Sequence, residues 1–138
     1  MTQVIRDEGF YDDDLVDGDF VELQDLAGEN QLLTLPNDTE ATDVAPHFAK
    51  ISTIRIPFAS FSDGRGFGLA RQLRQLGFTG RLRASGHLIS DQYFHARRCG
   101  FDEIEITEKQ SQRQTQPMWV AQSNWDKETY QDRLLRAS

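Results

Sequence analysis

A pattern that occurs twice most constrains what this chain can fold into. The dipeptide Ser-Asp, an amphipathic segment, the dipeptide Gly-Phe and a strand-like segment follow one another within residues 62–85 and again within residues 90–106. Serine and aspartate cap the starts of helices, and glycine ends helices in a left-handed conformation. The pattern therefore predicts helices that alternate with parallel strands and are joined by right-handed crossovers.

An earlier strand and helix extend this pattern towards the N-terminus. Residues 32–35 are typical of a short buried strand, and residues 42–50 predict a helix with Pro46 in its first turn, where a missing N–H costs little. The predicted parallel strands are then about four in number, at residues 32–35, 53–58, 81–85 and 103–106. Four strands cannot close an eight-stranded barrel. We therefore expect an α/β fold with a small parallel sheet and crossover helices, either half-barrel-like or open with three layers.

Composition divides the chain into three parts. We expect an acidic N-terminal arm at residues 1–29, an α/β domain at residues 30–108, and a polar linker with an aromatic C-terminal tail at residues 109–138. The tail contains Trp119, Trp125 and Tyr130, and residues 124–136 could form a short amphipathic helix. These aromatic side chains either pack on their own domain or anchor another protein, since tryptophan is enriched at interfaces.

The net charge of −7 hides a strong division along the chain. Residues 1–43 carry thirteen acidic residues and one basic residue, a balance of −12, whereas residues 50–100 carry nine basic and two acidic residues, a balance of +7. The acidic arm is either solvated, or its run Asp12–Asp14 with Asp17 folds over the basic face or docks on a basic partner. Nucleic-acid binding is not expected, because the arm would repel phosphates.

Cysteine use and hydropathy indicate where the protein works. Cys99 is the only cysteine, so no disulfide can form within the chain, which is typical of a cytoplasmic protein. Residues 1–30 contain no apolar run behind a basic start, and no apolar stretch is long enough to span a bilayer. We expect a cytoplasmic protein that does not contact membranes.

The turn around Asp63 is the predicted functional site. In parallel sheets ligands gather at the carboxyl ends of the strands, and this turn offers free helix N–H groups beside an arginine. The candidate anion- or substrate-binding residues are Asp63, Gly64, Arg65, Gly66, Arg83, His87, Asp91 and Gln92. The alternative is structural: Asp63 caps its helix and pairs with Arg65 or Arg83, and the glycines only shape the turn.

Cofactor motifs are incomplete in this sequence. Gly64 and Gly66 begin a G-x-G-x-x-G series, but Leu69 stands where its last glycine belongs, and residues 36–40 lack the glycine of a flavin phosphate loop. One cysteine cannot ligate the iron–sulfur cluster of a sirohaem reductase. His47, His87 and His95 lack the spacing of metal ligands. We expect no cofactor and no metal, and no catalytic residue is assigned.

Five motifs in this region together resemble a known family. They are residues 54–67, 70–74, 83–86, 91–92 and 97–102, and they look like a family of small uncharacterised bacterial proteins. The resemblance covers about residues 30–106. Genes of that family lie beside sulfite or nitrite reductase genes, and its members are described as oxidoreductases involved in sulfite reduction. The resemblance therefore implies a pathway more firmly than a reaction.

These observations lead to two functional hypotheses. The first is an accessory protein of assimilatory sulfite reduction, within sulfur assimilation, which binds the reductase or its electron donor and has an oxyanion site. The alternative is a small enzyme that acts on an anionic substrate at the carboxyl ends of the parallel strands, assembled as a homo-oligomer or alone.

Overall fold

A computed structural model of the chain describes residues 2–15, 17–60 and 62–124. Within those ranges the chain forms one mixed sheet of seven strands with five helices. The strands are β1 (Thr2–Arg6), β2 (Gly9–Asp12), β3 (Phe20–Val21), β4 (Gln31–Thr34), β5 (Ile51–Phe58), β6 (Arg81–Gly86) and β7 (Glu103–Thr107). The helices are α1 (Ala41–Val44), α2 (Arg65–Gln75), α3 (Tyr93–Arg98), α4 (Glu108–Arg113) and α5 (Gln116–Val120).

The strands lie in the order β2-β1-β7-β6-β5-β4-β3. Strands β3 to β7 are parallel to one another, whereas β1 pairs antiparallel with both β7 and β2. The four predicted strands correspond to β4–β7, and their arrangement as parallel neighbours is confirmed. The expected number of about four strands is wrong, because β1, β2 and β3 join the same sheet. These three strands come from residues that the composition assigns to an acidic arm.

Helices α2 and α3 end in the same local backbone conformation. After α2 the chain turns at Gly77, which has φ of +104°, and the N–H of Phe78 donates to the carbonyl of Leu73. After α3 the chain turns at Gly100, with φ of +110°, and the N–H of Phe101 donates to Ala96 in the same way. This is the hydrogen-bond pattern of a Schellman motif, in which glycine avoids the strain of a positive φ. It explains why the dipeptide Gly-Phe marks the end of each unit.

One face of the parallel strands is apolar and packs against the helices. Alternate residues of β5, β6 and β7 point to this face and are fully buried. They form one cluster with side chains of α1, α2 and α3: Ile54, Ile56, Phe58, Leu82, Ala84, Ile104, Ile106, Val44, Phe67, Leu73, Tyr93 and Ala96. The right-handed crossovers place these three helices on the same side of the sheet, since the strands follow in sequential order.

The other face of the same strands is polar and has a different cover. Residues 13–15 and 17–18, here called the acidic strap, lead from β2 at one edge of the sheet towards β3 at the other edge. Within the described residues the strap, and no helix, covers the middle of this face. The open three-layer alternative, which needs helices on both faces, is therefore wrong for this part of the chain.

The segment after β7 returns to the helical side of the sheet. Trp119 in α5 is fully buried, packs edge-to-face on Tyr93 at 6.4 Å between ring centroids, and donates its indole N–H to Gln114. Trp119 therefore packs on its own domain, while Trp125, Tyr130 and the helix expected over 124–136 lie outside the described residues apart from Asn124. None of the described helices has the length and apolar character that a membrane span requires.

Candidate functional site

The Asp63 turn joins the end of β5 to the start of α2. Asp63 accepts hydrogen bonds from the backbone N–H of Arg65 at 3.2 Å, from its Nε at 3.1 Å and from its NH2 group at 2.9 Å. Asn37, which follows β4, donates a further bond from Nδ2 at 2.9 Å. The hydrogen bonds from Arg65 lower the pKa of Asp63 well below its usual range. The turn is thus an Asp–Arg pair that an amide from the neighbouring strand end holds in place.

The two glycines of this turn differ in role. Gly64 is exposed and occupies the N-cap position of α2, without a capping side chain. Gly66 is buried, and a Cβ at this position would lie 2.5 Å from Cζ of Phe58. Gly66 therefore allows α2 to approach the ring that ends β5, and its backbone is not open to a ligand.

The remaining candidates at this edge follow β6. His87 is exposed, and its backbone N–H donates to the carbonyl of Phe58 at 3.0 Å. Asp91 is exposed, and the side-chain oxygen of Gln92 accepts from the backbone N–H of Ile89 at 3.0 Å, as in a capping box. His87 lines a cleft of about 140 Å³ together with residues of α4 and the turn after it: Gln110, Arg113 and Gln114.

Arg83 lies elsewhere. It is in the middle of β6, which continues to Gly86, and it points to the polar face of the sheet. Its guanidinium is fully buried, and its nitrogens reach Glu103 at 2.6 Å, Asp13 at 2.8 Å and Glu105 at 2.9 Å. The structure therefore brings together Asp63, Gly64 and Arg65, whereas it places Arg83 in a separate ionic cluster.

This ionic cluster is built by neighbouring strands. Parallel pairing sets Arg55 beside Arg83, and Arg83 beside Glu103, on the same face. Arg6 on β1 and Arg81 on β6 both bond Glu103, at 3.1 and 3.3 Å. Within this part of the chain no buried side-chain nitrogen or oxygen lacks a hydrogen-bond partner. A buried charge is tolerated only when it is paired in this way.

The acidic strap completes the cluster from the solvent side. Asp14 contacts Arg81 at 3.0 Å, Arg83 at 3.2 Å and Arg6 at 3.7 Å, and its side chain is 47% exposed. Burial alone would raise the pKa of Asp14, but the bonds and charge of Arg81 outweigh it and lower the pKa. Burial would lower the pKa of Arg83, and the carboxylates of Asp13 and Glu103 reverse this. The sequence left open whether the acidic arm is solvated or folds over the basic face. The contacts of Asp13 and Asp14 agree with the second arrangement.

The two glutamates beside Arg83, Glu103 and Glu105, were not predicted, although the sequence carries a signal for them. Charged and apolar residues alternate in β6 as Arg81-Leu82-Arg83 and in β7 as Glu103-Ile104-Glu105. Alternation in adjacent parallel strands places opposite charges side by side on one face. This period-2 pattern, applied to the predicted strands, indicates an ionic cluster on the face away from the helices.

Cys99 lies close to an arginine and a histidine side chain. The Cys99 thiol is buried, 3.6 Å from NH2 of Arg71 and 3.5 Å from Nε2 of His95. Burial raises the pKa of Cys99 despite the charge of Arg71, so the reactive thiolate is disfavoured. Across residues 2–15, 17–60 and 62–124, no group of three or more His, Cys, Asp or Glu side chains could hold a metal ion.

Comparison with known proteins identifies a family but no activity. Residues 33–137 match the model of a family described as bacterial protein of unknown function (DUF934). No curated protein and no solved structure matches the chain. The matched range begins within β4 and includes the Asp63 turn, while β1, β2, β3 and the acidic strap precede it.

Proposed function

We propose that this chain, which belongs to DUF934, a family of bacterial proteins of unknown function, is an accessory protein of assimilatory sulfite reduction that binds the reductase or its electron donor. The pathway rests on the resemblance of residues 30–106 to a family encoded beside sulfite and nitrite reductase genes. The binding role rests on a group of exposed acidic residues beside β3.

One observation carries the binding role: an acidic surface follows the β3 edge of the sheet. Four carboxylates in the segment between the acidic strap and β4 are exposed, and we call them the acidic edge: Asp19, Glu22, Asp25 and Glu29. None of them forms an ion pair with another described residue. They differ in this from Asp13 and Asp14, which the arginines of the sheet neutralise.

Unpaired carboxylates at a sheet edge favour a basic partner. Complementary charges steer two proteins together and raise the rate of association, and they also select against partners of the wrong sign. β3 is a short outer strand, and edge charges can also serve only to prevent pairing with other strands. Binding measurements separate these two roles, because protection of an edge needs no partner.

The test is the binding of the purified host sulfite reductase and of its electron donor. The four-site variant Asp19→Asn, Glu22→Gln, Asp25→Asn and Glu29→Gln should bind the partner at least about tenfold more weakly in low salt. The matched control neutralises four exposed acids elsewhere, through Asp38→Asn, Glu40→Gln, Asp43→Asn and Glu108→Gln. Equal loss in both variants, or no binding of either protein by the natural chain, would contradict the proposal.

The cleft beside His87 gives a second candidate, a small enzyme acting on an anionic substrate at the carboxyl ends of the strands. His87 and Arg113 are both exposed and line the same cleft, close to where β6 ends. Titration with sulfite, followed by amide NMR shifts, should then move the signals of His87, Arg113 and Arg65. Unchanged signals at these three residues would exclude this candidate.

A further inference from the structure

Four arginines converge on the polar face of the sheet. Arg83 is fully buried there, Arg55 is mostly buried, and Arg6 and Arg81 are about one-third exposed at their side chains. Among the described residues of the strands, Glu103 and Glu105 supply carboxylates to them. The four arginines on this face therefore outnumber these described carboxylates of the strands by two.

Asp13 and Asp14 of the acidic strap add two negative charges to this face. Asp13 accepts from Arg83, and Asp14 accepts from Arg81 and Arg83, at distances of 2.8 to 3.2 Å. Each of these bonds joins a guanidinium nitrogen to a carboxylate oxygen and is charge-assisted, and the Asp13 bond at 2.8 Å has the short length typical of that kind. A tetrahedral oxyanion with two charges offers the same kind of acceptor to the same donors, because guanidinium groups bind oxyanions and carboxylates alike.

We propose that Arg81 and Arg83 form a binding site for a doubly charged oxyanion of the sulfate class, which the carboxylates of Asp13 and Asp14 occupy in the ligand-free chain. The ligand displaces the strap carboxylates and takes over their hydrogen bonds. This site does not rest on the acidic edge or on any partner protein. The proposed oxyanion site lies on the polar face of the sheet, whereas the site expected at Arg65 lies at the start of α2 on the helical side.

The two sets of carboxylates in the cluster differ in how easily they can leave. Glu103 is 1% exposed and belongs to β7, so its side chain is fixed by the sheet. Asp13 is 17% exposed and Asp14 is 47% exposed, and both lie in a segment that no strand pairing holds. Exchange of a solvent-exposed carboxylate for a dissolved anion leaves the sheet unchanged. The strap carboxylates are therefore the ones that a ligand can replace.

The displacement predicts that the strap weakens binding in the natural chain. A ligand that can bind only when the strap is displaced has an apparent affinity reduced by the fraction of molecules in that state. Removal of the strap charges should remove this penalty. The variant Asp13→Asn/Asp14→Asn keeps the shape and hydrogen-bonding capacity of the strap and loses only its charge.

The experiment is titration with sulfate by calorimetry, at constant ionic strength maintained with chloride. We expect the Asp13→Asn/Asp14→Asn variant to bind sulfate at least about tenfold more tightly than the natural chain. The matched control, Asp12→Asn/Asp19→Asn, removes two exposed acids that make no ion pair with a described residue, and it should bind like the natural chain. Equal affinities in the two variants would show that only net charge matters and would overturn the site.

Further measurements test the proposal even if the double variant does not fold. The single variant Asp14→Asn should show the same change in smaller size, and Arg81→Met in that background should abolish sulfate binding. In the natural chain, sulfate should accelerate amide hydrogen exchange at residues 13–15, because the strap is released. Sulfate affinity that survives Arg81→Met, or exchange at residues 13–15 that sulfate does not change, would contradict the displacement.

Discussion

The two faces of the sheet are built from alternate residues of the same strands, yet they are held by different forces. On the helical face Ile56, Ala84 and Ile104 lie side by side and are buried by apolar contacts with the helices. On the strap face the neighbouring residues Arg55, Arg83 and Glu103 are held by ion pairs. A one-residue step along a strand thus changes the kind of stabilisation entirely.

This difference determines how each face responds to substitution. Apolar contacts are non-directional, and the loss of one side chain costs roughly the area and volume removed. Buried charges act as a set, since removal of one partner leaves the others without compensation in a poorly solvating environment. The strap face should therefore be the less tolerant of the two, although it contributes less apolar burial.

The largest expected effect is at the centre of the strap face. Arg83→Met should lower the free energy of unfolding by about 3–5 kcal/mol, because Glu103, Glu105 and Asp13 lose their shared buried partner. On the helical face, Ile56→Ala should cost about 2–5 kcal/mol through the cavity that it leaves. Both values can be measured by urea denaturation.

The control for charge removal is Arg113→Met, at an exposed arginine of α4 that makes no ion pair with a described residue. It should change the free energy of unfolding by less than about 0.5 kcal/mol. If Arg83→Met were as mild as Arg113→Met, the buried charges would not behave as a set and the contrast between the two faces would fail.

A smaller effect is expected where α2 meets the end of β5. Gly66→Ala should destabilise the fold by about 1–3 kcal/mol, since the added methyl group would lie 2.5 Å from the Phe58 ring. Phe58→Leu should relieve part of this cost when the two changes are combined, because the smaller side chain makes room for the methyl group. Thermal and urea unfolding of the two single variants and the double variant give the coupling.

Gly68 in the same helix provides the matched control. A Cβ at this position would meet nothing within 4 Å. Gly68→Ala should therefore raise the free energy of unfolding by about 0.5–1 kcal/mol, as expected for alanine replacing glycine within a helix. Equal destabilisation by both substitutions would mean that the approach of α2 to Phe58 is not the cause.

The smallest effect concerns the Asp63 turn. The pKa of Asp63 is lowered from its ordinary value of 3.8, mainly by hydrogen bonds from Arg65. A lowered pKa in the folded state contributes stability above pH 3.8, which is lost as the pH falls through the folded-state pKa. Asp63→Asn should flatten the acid limb of the stability curve below about pH 4. A curve with the same slope as that of the natural chain would show that the pair contributes no measurable stability.

The repeat of helix and strand could be predicted from the sequence because its signals are local. Glycine at a positive φ and phenylalanine at the next position mark the two helix ends, and strands β4–β7 follow from them. β1 and β2 could not be predicted in the same way, because β1 depends on a partner that is distant in sequence. β1 pairs with residues 104–107, about one hundred positions away. The many acidic residues of positions 1–29 also obscured the alternation of polar and apolar residues in β1.

The geometry of the Asp63 turn could be predicted in part. The pairing of Asp63 with Arg65 was one of the two alternatives, and it depends on residues two positions apart. The position of Arg83 was misjudged, because β6 continues for three residues beyond it, to Gly86, and its side chain points away from the helices. Its partners Asp13 and Glu103 are seventy and twenty residues away, and only the register of the strands and the path of the strap bring them together.

The path of the chain between β2 and β3 also limits the shape of the sheet. Seven strands separated by about 4.8 Å span roughly 29 Å from one edge to the other along the sheet. The chain from Asp12 to Phe20 has eight residue steps and includes a 3-10 turn at Asp17–Asp19. Even if all the other steps were extended, this chain would reach only about 23 Å. This reach is shorter than the width of a flat seven-stranded sheet. The sheet must therefore curve so that its two edges approach each other on the side of the strap. Extra residues inserted into this tether would let the sheet flatten and would draw Arg83 and Arg81 away from the carboxylates above them.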